Sequence, residues 1–308
     1  MAMLDADIRR EVPGDEDAID GVICRAFGKM DEAHLVRLLR EHYPAFDRRF
    51  SLTAWYDDTM VGHALFTPAQ IRLMGHTISA VAVAPVAVVP GLQGKGIGSK
   101  LLREGHSIAQ GEGFSLAFLN GHPEYYQRMG YQSCFGFAKI AIDVAKLPPP
   151  SQRLQPMPVH PSDIPWLVEC CAAEWADVDF FWQRGTNLSE WTLCGTNALI
   201  WWTEFGQRAA YTLGWPGGRK WQMVLAEDPM LARAVIAQVR PTSLQQHPAG
   251  WLVRHALAPE WAHATVERHP AAMARELRHG VLRPYLKALE AGERLPGFCN
   301  WPLPFMAC

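Results

Sequence analysis

The sequence lacks any apolar stretch long enough to span a bilayer, so no membrane partner is expected. It lacks a cluster of Lys or Arg, and its 29 basic residues are balanced by 31 acidic ones. Phosphate backbones need a concentrated basic surface, so a nucleic-acid partner is not expected either. The seven cysteines, at positions 24, 134, 170, 171, 194, 299 and 308, are odd in number and never fall in C-x-x-C spacing. Neither a disulfide framework nor a zinc site follows from that pattern, and no metal is expected. The first ten residues carry Asp5 and Asp7 and no apolar run of the kind a signal peptide needs. The expectation is a cytoplasmic protein with free thiols.

What is present is ordinary globular material: 308 residues, 49% of them apolar and 19% charged. That length suits two cores better than one. Asp7 to Val12 reads as a strand, and the acidic start Gly14 to Asp17 opens a helix whose inner face is Ile19, Val22, Ile23 and Phe27. A second helix is expected over Asp31 to Glu41. Two strand pairs follow, Phe50 to Tyr56 with Met60 to Phe66, and Ala69 to Met74 with Thr77 to Val89. Val81 to Val89 is apolar on both faces and reads as a central strand. Pro85 within it calls for a bulge or a splayed neighbour, because proline donates nothing to a ladder. After a glycine-rich segment, a helix is expected over Ser99 to Gln110, a strand over Phe114 to Leu119, a helical turn over Glu124 to Arg128 and final strand structure over Tyr131 to Val144. Lys146 to Pro150 reads as a stiff linker, which puts the domains at 1–146 and 151–308.

The glycine-rich segment is Gly91-Leu-Gln-Gly-Lys-Gly-Ile-Gly98. Between a strand and a helix, such a loop lets main-chain N–H groups close around an anion. Two nucleotide motifs fail on spacing. A Walker loop counted from Gly91 has Ile97 where Lys is required, and the dinucleotide fingerprint meets Ser99 or Leu101 where the third Gly should stand. The pattern that fits is Gln93-x-x-Gly96-x-Gly98 after a Val-rich strand. With Asn120-Gly-His-Pro-Glu-Tyr-Tyr-Gln-Arg-Met-Gly-Tyr131 further on, residues 5–145 resemble the GNAT superfamily of N-acetyltransferases.

The resemblance implies an α/β (α+β) fold with a mixed, mostly antiparallel central sheet flanked by helices. It implies acetyl-CoA as co-substrate and a small-molecule amine as acceptor, in a monomer or homodimer. The coenzyme's diphosphate would lie on Gln93, Gly94, Lys95, Gly96, Ile97, Gly98 and Ser99. Its pantetheine arm would lie along Val86, Val88 and Val89, with Asn120 close by. Tyr126, five residues before the aromatic of Gly130-Tyr131, would be the acid toward the coenzyme sulfur or a residue that only orients the coenzyme, with Tyr125 its alternative. His122, Glu124 and His63 are candidate bases beside a water relay.

Residues 151–308 repeat the layout without the glycine motif. They carry a strand at Leu154 to Val159, a helix at Ile164 to Ala173 and a hairpin made by Ala209 to Trp215 with Lys220 to Ala226. A capped helix from Asp228-Pro229, a strand over Gly250 to His255 and helical periodicity over Pro270 to Leu289 complete the pattern. This reads as a degenerate second GNAT-like half. Glu227 and Asp228 stand where the phosphate loop would be, and two carboxylates repel a diphosphate. Eleven of the twelve tryptophans lie here, with Trp182, Trp201 and Trp202 as candidate walls of a substrate pocket or as core. A more distant resemblance to the Eis-type multidomain acetyltransferases offers the terminal carboxylate of Cys308 as a further base, although no sterol-carrier-like third domain is visible. The rival reading is a non-catalytic acyl-CoA sensor. A nucleotide switch is weakened by the failed Walker spacing.

Overall fold

The structure is a computed structural model and describes residues 5–193 and 196–306. The chain begins β1 (Asp7–Arg10), α1 (Glu16–Phe27), α2 (Asp31–His42), β2 (Ser51–Tyr56), β3 (Thr59–Leu73) and β4 (His76–Val88). The stripes Ile19, Val22, Ile23 of α1 and Leu35, Val36, Leu39 of α2 pack on one face of the sheet, against Leu65, Ile71 and Ala87. The other face is covered by α3 (Ile97–Gly111), whose Leu101, Leu102 and Ala109 meet Phe66, Val81 and Val83. Then come β5 (Leu116–Asn120), α4 (Pro123–Gln127), β6 (Gln132–Ser133) and β7 (Phe135–Ile142).

Two expected strands, Met60 to Phe66 and Ala69 to Met74, are one continuous β3, because Thr67 and Pro68 keep their partners Ala82 and Val81 on β4. Pro85 is accommodated by a bulge: the register shifts between Ala64 and Phe66, and Ala84-Pro85 is the extra length on β4. β4 and β5 run parallel but pair only over Ala80–Ala82 with Leu116–Phe118, then diverge. The splay opens a wedge beside Val86 and Val88.

The second half runs β8 (Gln155–Pro158), α5 (Ile164–Glu174), β9 (Phe181–Trp182), β10 (Asn197–Trp202), β11 (Arg208–Gly214), β12 (Lys220–Leu225) and α6 (Pro229–Val239). It continues with β13 (Ser243–Leu244), α7 (Trp251–His255), β14 (Ala262–Arg268), β15 (Ala272–Glu276), α8 (Arg283–Glu290), β16 (Gly297–Phe298) and α9 (Leu303–Met306). Two expectations are corrected. Gly250 to His255 is not a strand: α7 is helical, and Trp251 stacks on His255 one turn away at 5.1 Å. The helical pattern over Pro270 to Leu289 breaks into β15 and α8. Ala272-Met-Ala-Arg-Glu276 has good helix formers, but Ala272, Met273 and Ala274 are fully buried between two strands, and tertiary packing overrides propensity.

That placement defines the architecture. The first sheet is ordered β1-β2-β3-β4-β5-β15-β6, with β9 on β3, and the second β14-β7-β13-β12-β11-β10-β8, with β16 on β7. In the first, β15 is antiparallel to both β5 and β6. In the second, β7 is antiparallel to both β13 and β14. In each, the intruder sits next to the strand that pairs in parallel after the central helix, β5 on β4 and β13 on β12. The chain is two halves of one topology that exchange equivalent strands. The linker at 146–150 therefore does not separate the sheets: β7 precedes it and belongs to the second, while β15 follows it and belongs to the first. Among the described residues no helix is long and apolar enough to cross a membrane.

Candidate active site

The loop between β4 and α3 is built for an anion. Gly94 and Gly96 adopt φ of 73° and 90°, conformations that glycine enters without cost. Gly96 is the N-cap of α3 and no side chain caps the helix. Among the described residues, none of the main-chain N–H groups of residues 94–99 donates to the rest of the protein. These donors and the positive end of the α3 dipole form an arrangement that can hold a negative group. All of residues 94–99 but Lys95 rim a cavity of about 610 Å3 together with Val86, Val88, Tyr125 and Tyr126.

Most of the expected cofactor residues meet there: Val86, Val88, Gln93, Gly94, Gly96, Ile97, Gly98 and Ser99 line this cavity. Val89, Lys95 and Asn120 do not. Val89 instead packs into the cores on both faces of the sheet. Gln93 lines the cavity, yet its main-chain N–H donates to Pro90 O at 3.2 Å and its side-chain amide to Val88 O at 3.0 Å. It braces the loop and has no N–H left on the main chain for an anion. Arg128, Met129 and Leu92 line the cavity too and were not anticipated. Arg128 stands three residues after Tyr125 on the same helical turn, a spacing that could have flagged it.

Tyr126 packs edge-on against Tyr125 and Tyr131, at ring distances of 5.0 and 5.7 Å. A Cβ at position 121 would fall 2.3 Å from the Tyr126 ring, so Gly121 is what lets the ring settle there. Burial raises the Tyr126 hydroxyl well above the ordinary phenol range, and Tyr125 adds to this. Among the described residues nothing hydrogen-bonds to that hydroxyl, and it is available to a ligand. Tyr125 differs: its hydroxyl lies 3.4 Å from Ser99 Oγ, beside the start of α3. It belongs with the anion cradle.

His122 stands at the N-cap position of α4 without a side-chain capping bond, is exposed, and lines the cavity. Glu124 is exposed and does not line it. His63 is fully buried, with Nε2 2.9 Å from Ser51 Oγ, which in turn donates to Glu11. Burial, with Arg40 nearby, holds its pKa down to about 3. It sits in a closed polar network and reaches neither cavity described here. Cys308 lies outside the described residues. Among the described residues no group of three or more His, Cys, Asp or Glu could hold a metal ion.

A second cavity, of about 430 Å3, lies between the two sheets at the end of β5. Asn120 lines it, so this residue faces the neighbouring cleft and not the loop cavity. Of the aromatic walls, Trp301, Phe137 and Phe298 are there, whereas Trp182, Trp201 and Trp202 are not. Trp182 is buried against Tyr43, Phe118 and Trp301. Trp201 is core, its Nε1 donating to Thr212 at 2.8 Å, and Trp202 carries Arg208 over its ring. The apolar tail thus supplies the wall that the sequence suggested for other tryptophans.

The matching place in the second half is closed. Asp228 accepts from Met230 N at 2.7 Å and Leu231 N at 3.0 Å, and Pro229 has no N–H to offer. The splay between β12 and β13 is filled by Gln246, fully buried, whose amide exchanges two hydrogen bonds with the main chain of Val224 at 3.1 and 2.8 Å.

Comparison with known proteins agrees with this geometry. Residues 7–134 match the acetyltransferase (GNAT) domain family. The uncharacterized N-acetyltransferase YjhQ of Escherichia coli is 38% identical over 122 residues, which span 40% of this chain and 67% of that protein. Over nearly the whole chain the fold is that of a GCN5-related N-acetyltransferase from Anabaena variabilis, with TM-score 0.69 at 10% identity, covering 89% of this chain and 73% of that one. Eis1 from Mycobacterium abscessus superposes with TM-score 0.60 at 15% identity, over 88% of this chain and 74% of its own. The open loop, the splayed strand and these likenesses converge: the chain belongs to the GNAT acetyltransferases.

Proposed function

We propose that the protein transfers an acetyl group from acetyl-CoA to a primary amine by direct attack within a ternary complex. The observation that carries this reading is the set of unspent N–H groups over residues 94–99 beside the splayed β4. Glycines at 94, 96 and 98 leave room for a diphosphate. A Cβ at Gly98 would come within 2.9 Å of the Tyr125 hydroxyl, so a larger residue there would push that side chain out of the cradle. The bulged edge of β4 beyond Ala82 has lost β5 as its partner, and an extended pantetheine arm would replace it. A main-chain N–H there would stabilise the oxyanion that develops on the thioester carbonyl.

As the amine nitrogen bonds to the acyl carbon and the carbon–sulfur bond breaks, the departing thiolate takes a proton. Tyr126 supplies it. Burial keeps its hydroxyl protonated until that negative charge appears nearby. His122 is the one expected base that borders the same cavity, and it receives the amine proton directly or through water. Catalysis in this reading belongs to the first half, with the cleft at Asn120 as the acceptor side. Replacing Tyr126 by Phe is expected to lower kcat by about 100-fold while coenzyme affinity, measured by calorimetry, stays within about threefold. Unchanged turnover would remove the acid role, and absence of any coenzyme binding to the unaltered protein would remove the reading as a whole.

A further inference from the structure

The cavity between the sheets is unusual in its charge. Arg184, Lys139 and Lys220 line it, and no Asp or Glu does. Lys139 and Lys220 are exposed at its rim. Arg184 is only 8% exposed. It follows β9, which is tied to β3, and Gln183 N donates to Gln70 O at 2.8 Å, so the segment is held against the first sheet. Its Nη1 donates to Glu190 O at 2.6 Å, and its guanidinium stands 5.6 Å from the Trp191 ring. Nε and Nη2 have no hydrogen-bond partner and almost no surface open to the cavity, so a carboxylate pairs with them once the side chain turns in from the wall, and among the described residues no carboxylate pairs with Arg184.

A buried guanidinium with idle donors is costly, and burial without a counter-charge is rare unless an anion from elsewhere completes it. The arginines that reach buried carboxylates elsewhere are paired with them: Arg9 with Asp15, Arg37 with Asp20, Arg40 with Glu11, Arg208 with Asp163 and Arg294 with Asp179. The planar fork of Arg suits a carboxylate, which accepts two parallel hydrogen bonds from it. The remaining wall is aromatic, from Phe137, Phe298 and Trp301. The Asn120 end of the cavity adjoins the β5 terminus, two residues from His122 in the coenzyme cavity.

We infer that the acceptor is an amino acid with an apolar side chain, its carboxylate held in this cavity by Arg184 while its amine reaches past Asn120 toward the acyl group. This deepens the proposed acetyl transfer and rests on it for the reaction, though not for the anion site. L-phenylalanine and phenethylamine, which differ only in the carboxylate, test it with acetyl-CoA and release of the coenzyme thiol as readout. The expected result is a kcat/KM at least tenfold higher for L-phenylalanine. In Arg184→Gln that preference falls at least tenfold while coenzyme affinity is unchanged. Equal use of both amines, or an equal loss for both in the variant, would overturn the inference. Binding of N-acetyl-L-phenylalanine and N-acetylphenethylamine to the unaltered protein, followed by tryptophan fluorescence, decides the matter even if the variant fails to fold or coenzyme does not bind. Tighter binding of the carboxylate by at least tenfold supports the site, and equal or absent binding refutes it.

Discussion

The two halves carry the same strand–loop–helix unit and treat it in opposite ways. Between β4 and α3 the chain spends eight residues, three of them glycines, on a loop whose N–H groups stay idle. Between β12 and α6 it spends three, and Asp228 takes up the first-turn N–H groups from within. The adjoining splay is open beside Val86 in one half and closed by Gln246 in the other. An internal carboxylate and an internal amide thus occupy the places that a coenzyme's diphosphate and amide-bearing arm would take. A helix N-terminus must be satisfied by something. In the second half that something is the chain itself, and in the first the chain supplies nothing.

The comparison breaks most completely if the halves prove independent. A fragment of residues 1–150 lacks β15, which lies between β5 and β6, and leaves β7 without its sheet. It is expected to aggregate or show no cooperative melt, and a soluble fragment that binds CoA would refute the interdependence. Next in size is a transplant of the second half's device. Gly96→Asp puts a carboxylate at the N-cap of α3, and CoA affinity is expected to fall by roughly 100-fold or more, since two charge-assisted hydrogen bonds are worth about 3 kcal/mol or more. Calorimetry on the unaltered chain should give one coenzyme per chain, and two would end the asymmetry.

The halves should also answer pH differently. His63 and His106 in the first half are held down to about 3, chiefly by burial. They stay neutral in the fold while the unfolded chain takes up protons, so their contribution is complete above about pH 6.5 and is lost as pH falls toward 3. Glu174 in the second half is pushed up to about 8 by burial. The fold keeps its proton when the unfolded chain has released it, so stability declines as pH rises from about 4.5 to 8. Glu174→Gln should flatten that alkaline decline in urea titrations and leave the acid limb in place. The smallest effect expected is that of Asp228→Ala, a loss of about 1 kcal/mol from a missing N-cap, again with one coenzyme bound.

The loop was legible in the sequence because its information is local. Glycine positions, the Val-rich strand and the helix that follows lie within about twenty residues of one another. The place of Tyr126 on the same cavity was legible for the same reason, through its distance from Gly130-Tyr131. The second cavity was not. Trp301, Phe298 and Arg184 reach one cavity from segments far apart in the chain, and no periodicity or spacing joins them. β15 was misread because Ala272-Met-Ala-Arg-Glu276 favours a helix in isolation, and only the slot between β5 and β6 makes it a strand. His63 stood on an early strand as a reasonable base, but its side chain points into a sealed network that sequence cannot reveal.

The exchanged strands also set a timetable for the growing chain. At about 5–20 residues per second, on the order of ten seconds or more separates the synthesis of β6 from that of β15. Throughout that interval the edge of β5 has no partner, and β7 waits for β13 and β14 to be made. The glycine-rich loop precedes these late arrivals, yet the sheet that carries it closes only after most of the protein exists. A ribosome that stalls in the second half would leave an open strand edge exposed, the kind of surface that pairs with other chains.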